Sequence, residues 1–382
     1  MEKYDLVIAG AGVAGSVAAK FAAKAGLKVL LLEKDETPRN KPCSGIQFQY
    51  FEKIIGEKIP RERLCNYQIE HIHMQLPNGK IFAAPTKMLN FMRKPLDDWL
   101  NQVAIKAGAE FRDMSKVKAF KELEDSVEVE IHPKDDSPYT VKARYLVDAT
   151  GLRPVLRKIL RPHDFDSKHK GSTLNYYIEG TADLDPTTLY QIWDLDFNDA
   201  MFAWVYTKTL DDGKDYWVVG TGCNSGKILD RQKLFYDYIC EKFNLKGTIV
   251  KKEGYSTTID MFSKDRVWLG QNRIIMVGDA AGLVDTVRGV GMDSAGISGR
   301  LLIKAITKSD KTGVPVLEIY AKLLKRVTDQ TIKNQTQDLA NFQTNDELQK
   351  HMDSTMLKLG VSMAVNMVLN KIRPIEQIRL MP

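Results

Sequence analysis

Cys43 stands in Pro38-Arg39-Asn40-Lys41-Pro42-Cys43-Ser44-Gly45-Ile46, near two cations and beside small residues. A thiol in this company is a candidate for chemistry. Arg39 and Lys41 favour its thiolate if their charges face it, and the small neighbours let backbone approach a flat ring. The plainer alternative is that Cys43 is a small buried hydrophobe. The start of the chain shows what such a ring belongs to. Gly10, Gly12 and Gly15 follow the apolar run Leu6-Val7-Ile8-Ala9 and lead into an alanine-rich segment. Glu33 closes a second apolar run, Val29-Leu30-Leu31-Leu32, at a separation of about 20 residues, as in dinucleotide-binding folds. Gly10 permits the tight turn, Gly12 lets backbone approach a pyrophosphate, and Gly15 lets helix and strand pack closely. The free N–H groups of the helix start favour phosphate. Glu33 can accept from a ribose hydroxyl.

These residues need elements to hold them. The apolar stretches Tyr4–Ala9, Val29–Leu32, Tyr145–Asp148 and Ile274–Val277 read as buried strands, the last two ending in small-residue turns, Ala149-Thr150-Gly151 and Gly278-Asp279-Ala280. Ile72, Met74 and Leu76 alternate with polar residues. Pro77-Asn78-Gly79 and Lys80-Ile81-Phe82 follow, which predicts a β-hairpin. Val127–His132 and Thr140–Tyr145 make a second hairpin-like pair, and a helix begins near Lys94. From about 170 to 258 the chain is rich in Tyr, Trp, Thr and Val with turn breaks, which predicts an antiparallel sheet. The tail from about 315 reads as helical. The fold class is therefore α/β: a Rossmann-type dinucleotide-binding lobe interleaved with an antiparallel β-sheet substrate lobe, plus a C-terminal helical region. The expected boundaries are 1–65, 91–160 and 260–315 for the first lobe, 66–90 and 161–259 for the second, and 316–382 for the helical region.

The order of these blocks resembles the flavoproteins of the para-hydroxybenzoate hydroxylase fold. There the Gly-Asp-Ala segment, here Gly278-Asp279-Ala280, holds the ribityl part of FAD through the carboxylate matched by Asp279. Arg93–Leu100 is similar to that family's Arg-x-x-x-Asp-x-x-Leu helix start and sets Arg93 against the flavin. The cofactor implied is FAD. A second dinucleotide fingerprint is not found, so reducing equivalents come from a transient donor, NAD(P)H or ferredoxin, with no domain of its own. That and the lack of a Cys-x-x-Cys pair argue against a two-domain disulfide reductase.

Within the fold, Lys41-Pro42-Cys43-Ser44-Gly45 resembles the Lys-x-Cys-Gly-Gly loop of the geranylgeranyl reductase family, whose cysteine lies near flavin and substrate. Ser44 replaces the first glycine. Phe202-Ala203-Trp204-Val205-Tyr206-Thr207 with Gly220 and Gly222 resembles the Tyr-x-Trp-x-Phe-Pro…Gly-x-Gly motif of the same reductases, which lines the lipid channel. Phe202, Trp204 and Tyr206 alternate, so on a strand all three rings share one face; rings on one face also serve as ordinary core. Asp285-Thr286-Val287-Arg288-Gly289-Val290-Gly291-Met292 stands where those reductases have Asp-Pro-x-Thr-Gly-Glu-Gly-Ile. Gly289, Val290, Gly291 and Met292 would bring N–H groups and a helix start to the flavin pyrimidine edge, which gains negative charge on reduction. Arg288 either binds an anionic head group or lies in solvent. The resemblance extends the expected cofactor contacts to Ala14, Lys34, Ala149 and Gly151. It implies an FAD-dependent reductase that saturates carbon–carbon double bonds of a polyprenyl or related hydrophobic substrate, with Cys43 as the catalytic candidate. A flavin-dependent aromatic hydroxylase and a non-catalytic flavin- or lipid-binding protein are the competing readings. Halogenation is disfavoured: the related Trp-x-Trp-x-Ile-Pro motif is matched only at Trp204.

Composition sets the outer limits. With 382 residues, 43% hydrophobic and 27% charged, the chain suits a globular protein of two connected lobes. The net charge of +6 comes without a basic tract, so nucleic acid is not expected as a partner. Simple surface charge accounts for it; peripheral contact with an anionic membrane is compatible with it. Cys43, Cys65, Cys223 and Cys240 are scattered, and the histidines form no ligand cluster, so neither a disulfide framework nor a metal site is expected. The first strand begins by residue 4, which leaves no room for a signal peptide, and no apolar run approaches the roughly 18 residues of a membrane span. The expected location is cytoplasmic, with membrane association open. Met356–Leu369 is strongly apolar, and Lys358, Ser362 and Asn366 form one narrow polar stripe on a helix. Such a helix packs on protein, covers a greasy pocket or rests on a bilayer.

Overall fold

The computed structural model describes residues 1–381 except 66, 166–170, 200–201, 225, 257–264, 286–288 and 337–341. In chain order, β1 (Lys3–Ala9), α1 (Val13–Lys24) and β2 (Val29–Leu32) open the molecule. Then come β3 (Ile46–Phe48), α2 (Phe51–Ile55), α3 (Arg61–Leu64), β4 (Ile69–Gln75), β5 (Ile81–Asn90) and α4 (Arg93–Lys106). The middle runs through β6 (Glu110–Arg112), β7 (Ser115–Glu122), β8 (Val127–Pro133), β9 (Tyr139–Asp148) and α5 (Val155–Leu160). β10 (Ser172–Thr181), β11 (Thr188–Ile192), β12 (Ala203–Thr209), β13 (Asp215–Cys223), α6 (Ile228–Lys242) and β14 (Lys246–Ser256) follow. The chain closes with β15 (Gly270–Gln271), β16 (Ile274–Met276), α7 (Met292–Thr312), α8 (Val316–Thr336) and α9 (Asn345–Ile372).

Two sheets divide these strands. The first has the order β15-β16-β9-β1-β2-β6, with β7 and β8 added beside β9. The pairs β1–β2, β1–β9, β9–β16 and β2–β6 are parallel. Strands buried on both faces carry unbroken apolar runs, which is why β1, β2 and β16 read so plainly in the sequence. α1 and α7 pack together on this sheet. Gly299 lets them touch: a Cβ there would lie 2.4 Å from the Ala14 carbonyl oxygen.

The second sheet has the order β14-β10-β13-β12-β11-β4-β5-β3. The expected hairpin β4–β5 is present and antiparallel, as is β8–β9 in the first sheet. Three findings differ from the sequence expectation. β11 pairs β4 in parallel, so the second sheet is mixed rather than antiparallel throughout. The segment between 170 and 258 contains a helix, α6. Its aromatic content suggested strand, but its buried residues Gln232, Phe235 and Ile239 follow helical spacing against β13. Finally, Ile46–Phe48, inside the segment expected in the first lobe, pairs with β5 in the second sheet.

Candidate active site

A cavity of about 570 Å³ lies between the two sheets. At one end are Gly12, Val13 and Ala14, at the uncapped start of α1. Gly10, with φ +102°, turns the chain after β1; a Cβ there would lie 2.5 Å from the Ala149 carbonyl oxygen. A Cβ on Gly15 would lie 1.9 Å from the Gly10 carbonyl oxygen, so helix and strand pack at the distance only glycine allows. No side chain caps α1, and its first-turn N–H groups meet the cavity. The space over Gly12 is bounded by two guanidinium groups: a Cβ there would meet Arg39 at 3.5 Å and Arg93 at 3.8 Å. Free helix donors beneath two arginines have the chemistry of a cradle that could take a pyrophosphate.

The arginines are fixed by a buried acidic network. Arg39 Nε donates to Glu33 Oε2 at 2.8 Å, and Arg39 Nη1 lies 3.3 Å from Asp97 Oδ2. Arg93 grips Asp97 with two bonds of 2.8 Å, across one turn of α4. Glu33 is itself buried and accepts from the N–H groups of Ala11 and Lys34, at 3.3 and 2.9 Å. Its carboxylate, expected to accept from a ribose hydroxyl, is thus held at the end of β2 with Arg39 on its Oε2. The Lys34 side chain, expected at the cofactor, pairs instead with Asp35 on the exposed surface.

Of the two cations that would favour the thiolate if they faced it, Arg39 is directed to Glu33 and Asp97. The guanidinium whose charge acts on Cys43 is that of Arg93, which is itself held by Asp97. Two carboxylates outcompete one thiol for Arg39, because charge-assisted bonds are the stronger ones. Cys43 lines the cavity, accepts from the Gly45 N–H at 3.4 Å and lies 3.7 Å from Met292 Sδ. Gly45 itself, with φ +62°, turns the loop where a Cβ would lie 1.8 Å from the Phe91 carbonyl oxygen. Lys41 lines the cavity 3.9 Å from Asp279, and burial together with nearby Arg93 lowers its pKa below the ordinary lysine value.

Asp279 reaches the cavity after β16, and Ala149, Gly151, Ser44, Gly289, Val290, Gly291 and Met292 line the same wall. Gly278 is not in the lining; with φ +58° it sits between Ala14 and Ala295 and brings α1 and α7 together. Gly291 is the N-cap of α7 and brings no capping side chain of its own, while Asp293 accepts from the Ser294 N–H of the first turn at 2.8 Å. Arg288 and Thr286 lie outside the described residues.

The other wall comes from the second sheet. Phe202, Trp204 and Tyr206 all line the cavity, as their alternation predicts. Trp204 Nε1 donates to Asn175 Oδ1 at 2.7 Å, and Phe202 stands edge-on to Trp204. Gly222 lines the cavity, whereas Gly220 lies beneath this pair. A Cβ on Gly220 would be 2.1 Å from both Trp204 Nε1 and Asn175 Oδ1. Tyr206, in the place of the reductases' Phe, is buried, and its hydroxyl has no hydrogen-bond partner among the described residues. The far end is closed by Trp193 and by Met352, Leu359 and Met363 of α9.

Sequence reasoning missed Arg39 as a cradle residue, Asn175 as the Trp204 anchor, and Trp193. A lone Asn in an aromatic strand carries no signal of its partner. Arg39 was visible, but its direction depends on Asp97, far along the chain.

The residues fit FAD: uncapped helix donors, a pair of arginines, a ribityl-side carboxylate and a flat apolar slot. The match to the family model described as FAD binding domain runs from residue 3 to 335. The chain is 27% identical over 349 residues to a digeranylgeranylglycerophospholipid reductase of Methanosarcina acetivorans, covering 86% of this chain and 82% of that protein. A geranylgeranyl bacteriochlorophyll reductase-like protein of Thermoplasma acidophilum superposes with a TM-score of 0.76 at 21% identity, over 100% of this chain and 94% of the other. A halogenase solved with phloroglucinol and FAD gives a TM-score of 0.72 at 15% identity, over 96% and 82% of the two chains, so the fold is shared across chemistries. The chain belongs to the FAD binding domain family of FAD-dependent oxidoreductases, and geranylgeranyl reductases are among its relatives.

Proposed function

We propose that this protein saturates carbon–carbon double bonds of a polyprenyl, geranylgeranyl-type lipid or a related hydrophobic substrate. One observation carries the reading: a single cavity runs from the dinucleotide cradle, past Cys43, along the aromatic face of β12 and ends among methionines under α9. A flavin-dependent enzyme for a small polar substrate has no use for so long an apolar extension. The names of the reductase relatives support the same class of substrate.

FAD in its reduced form supplies hydride when bound. The protein's residues do the rest. The α1 donors with Arg39 and Arg93 would hold the pyrophosphate, and Asp279 would accept from the ribityl chain. The N–H groups near Gly289 and Gly291, which line the cavity, would stabilise the charge that the ring takes up on reduction. Phe202 and Trp204 orient an extended chain and exclude water. Cys43, which accepts from the Gly45 N–H and lines the cavity between the cradle and the aromatic face, would be the group that hands on a proton at Sγ beside the substrate chain. Electrons arrive from a transient donor, a nicotinamide or a ferredoxin-type protein.

The test is anaerobic: reduce the flavoprotein with dithionite, add geranylgeranyl lipid, and follow flavin reoxidation with mass spectrometry of the lipid. Reoxidation with stepwise gain of hydrogen pairs supports the reading. Flavin that stays reduced until oxygen is admitted overturns it and favours a monooxygenase; bound flavin with no turnover under either condition favours a binding protein.

A further inference from the structure

α9 is apolar on two opposite sides, and among the described residues only one of them is covered. Met352, Met356, Leu359 and Met363 recur at helical spacing on the face turned to the protein, where three of them line the cavity. Leu357, Val361, Val365, Val368 and Ile372 recur on the opposite face, and the first, fourth and last are 83%, 64% and 76% exposed. The helix is not a loose end. Thr344 caps its start through the Glu347 N–H at 3.2 Å, and Asn345 bonds Asp194 and the Leu195 N–H, both at 2.9 Å. At its other end Lys53 donates to the Lys371 carbonyl at 2.9 Å, and Arg373 donates to Asn366 at 2.7 Å. A fixed helix with an uncovered apolar stripe across its whole second half has a partner.

Charge identifies the partner. Between Asp353 and Glu376 the chain carries Lys358, Lys371 and Arg373 and no acidic residue. Lys358 and Lys371 are exposed and border the stripe on its two sides. Apolar side chains flanked by lysines, whose stems lie along the apolar surface and whose ammonium groups stay in water, suit a bilayer with anionic head groups. No helix among the described residues is long and apolar enough to cross a membrane, so the contact lies in the membrane plane.

We infer that α9 docks this protein on an anionic lipid surface through the Leu357–Ile372 stripe, with its opposite face closing the cavity. One helix then separates the bilayer from the cavity, so a lipid entering at this end passes around a single element. The docking rests on the stripe and its lysines; only the direction of lipid entry rests on the proposed reductase function.

The test uses the full chain with FAD bound and no substrate. Flotation with vesicles of phosphatidylcholine and phosphatidylglycerol, compared with phosphatidylcholine alone, reads partitioning; a Val361→Trp variant reads insertion by a blue shift of its emission. We expect flotation with the anionic vesicles, a loss of at least tenfold in the double variant V361E/V368E with flavin absorbance unchanged, and a blue shift for V361W. Failure to float with a monomeric protein overturns the inference. So does a dimer in solution that V361E/V368E dissociates, which would assign the stripe to a second copy of the chain. Because no turnover is measured, failure of the reductase reading leaves this result standing.

Discussion

The ammonium of Lys208, on β12, donates to the backbone carbonyl of Ser44, the residue after Cys43. The same group donates to Asn90 Oδ1 and to the Phe91 carbonyl, each at 2.8 Å. One side chain of the second sheet therefore pins the cysteine loop and the end of β5 together. Burial pushes its pKa down to about 7 from the ordinary value of 10.5. Above pH 7 the folded protein releases this proton while the unfolded chain keeps it up to the ordinary lysine value. The unfolded state then binds more protons, so Lys208 makes stability rise with pH across that window, by at most about 1.4 kcal/mol per unit. Urea unfolding of wild type and Lys208→Met between pH 6.5 and 10 checks this. The difference between the two should change in favour of wild type as pH rises; a constant difference would contradict it.

Cys43→Ala should leave the flavin bound, since the cradle is built by α1, Arg39, Arg93 and Asp279. Its reductive turnover should fall by about a hundredfold, the range for one positioned proton-transfer group. Flavin absorbance and anaerobic reoxidation measure the two separately. Undiminished turnover would return Cys43 to the status of a packing residue.

Arg39→Gln removes a cation over Gly12 and frees Glu33. Because a charge-assisted hydrogen bond contributes about 1.5–3 kcal/mol, FAD affinity should drop by roughly ten- to a hundredfold. Titration of the apoprotein with FAD by quenching of flavin fluorescence gives the number. The loss should shrink at high salt; equal affinity would show that Arg39 serves Glu33 alone.

Gly220→Ala sets a methyl group against Trp204 and Asn175. The indole must shift and its bond to Asn175 must break, a local overpacking cost of about 1–3 kcal/mol. The expected result is a raised KM for the hydrophobic substrate with flavin content unchanged. A variant with normal KM would mean that Trp204 does not orient the substrate.

The sequence made the cofactor half legible because its strands are buried on both faces and its turns need glycine at fixed steps. Gly10, Gly12 and Gly15 each stand where backbone must pass backbone or leave room for a phosphate. The aromatic face of β12 was legible for a similar reason, since strand alternation alone puts Phe202, Trp204 and Tyr206 together. What stayed hidden depends on pairing across long separations. Nothing in Pro38–Ile46 tells that Arg39 turns to Asp97, and nothing near β11 tells that it runs parallel to β4. α6 was hidden by composition, because its aromatic residues suit a strand as well as a helix until burial shows their period.

The first sheet is completed by β16, and α1 is covered by α7, so the two ends of the cofactor lobe come from opposite thirds of the chain. Synthesis delivers β1 and α1 first and α7 only in the last third of the chain. Until α7 leaves the ribosome, the apolar strands and the Gly12 turn stand without their cover, and the flavin has no closed place to bind. Such distant pairing makes for slow folding and an aggregation-prone nascent chain. Flavin supply during expression should therefore decide yield by capturing the chain only at the end of its assembly.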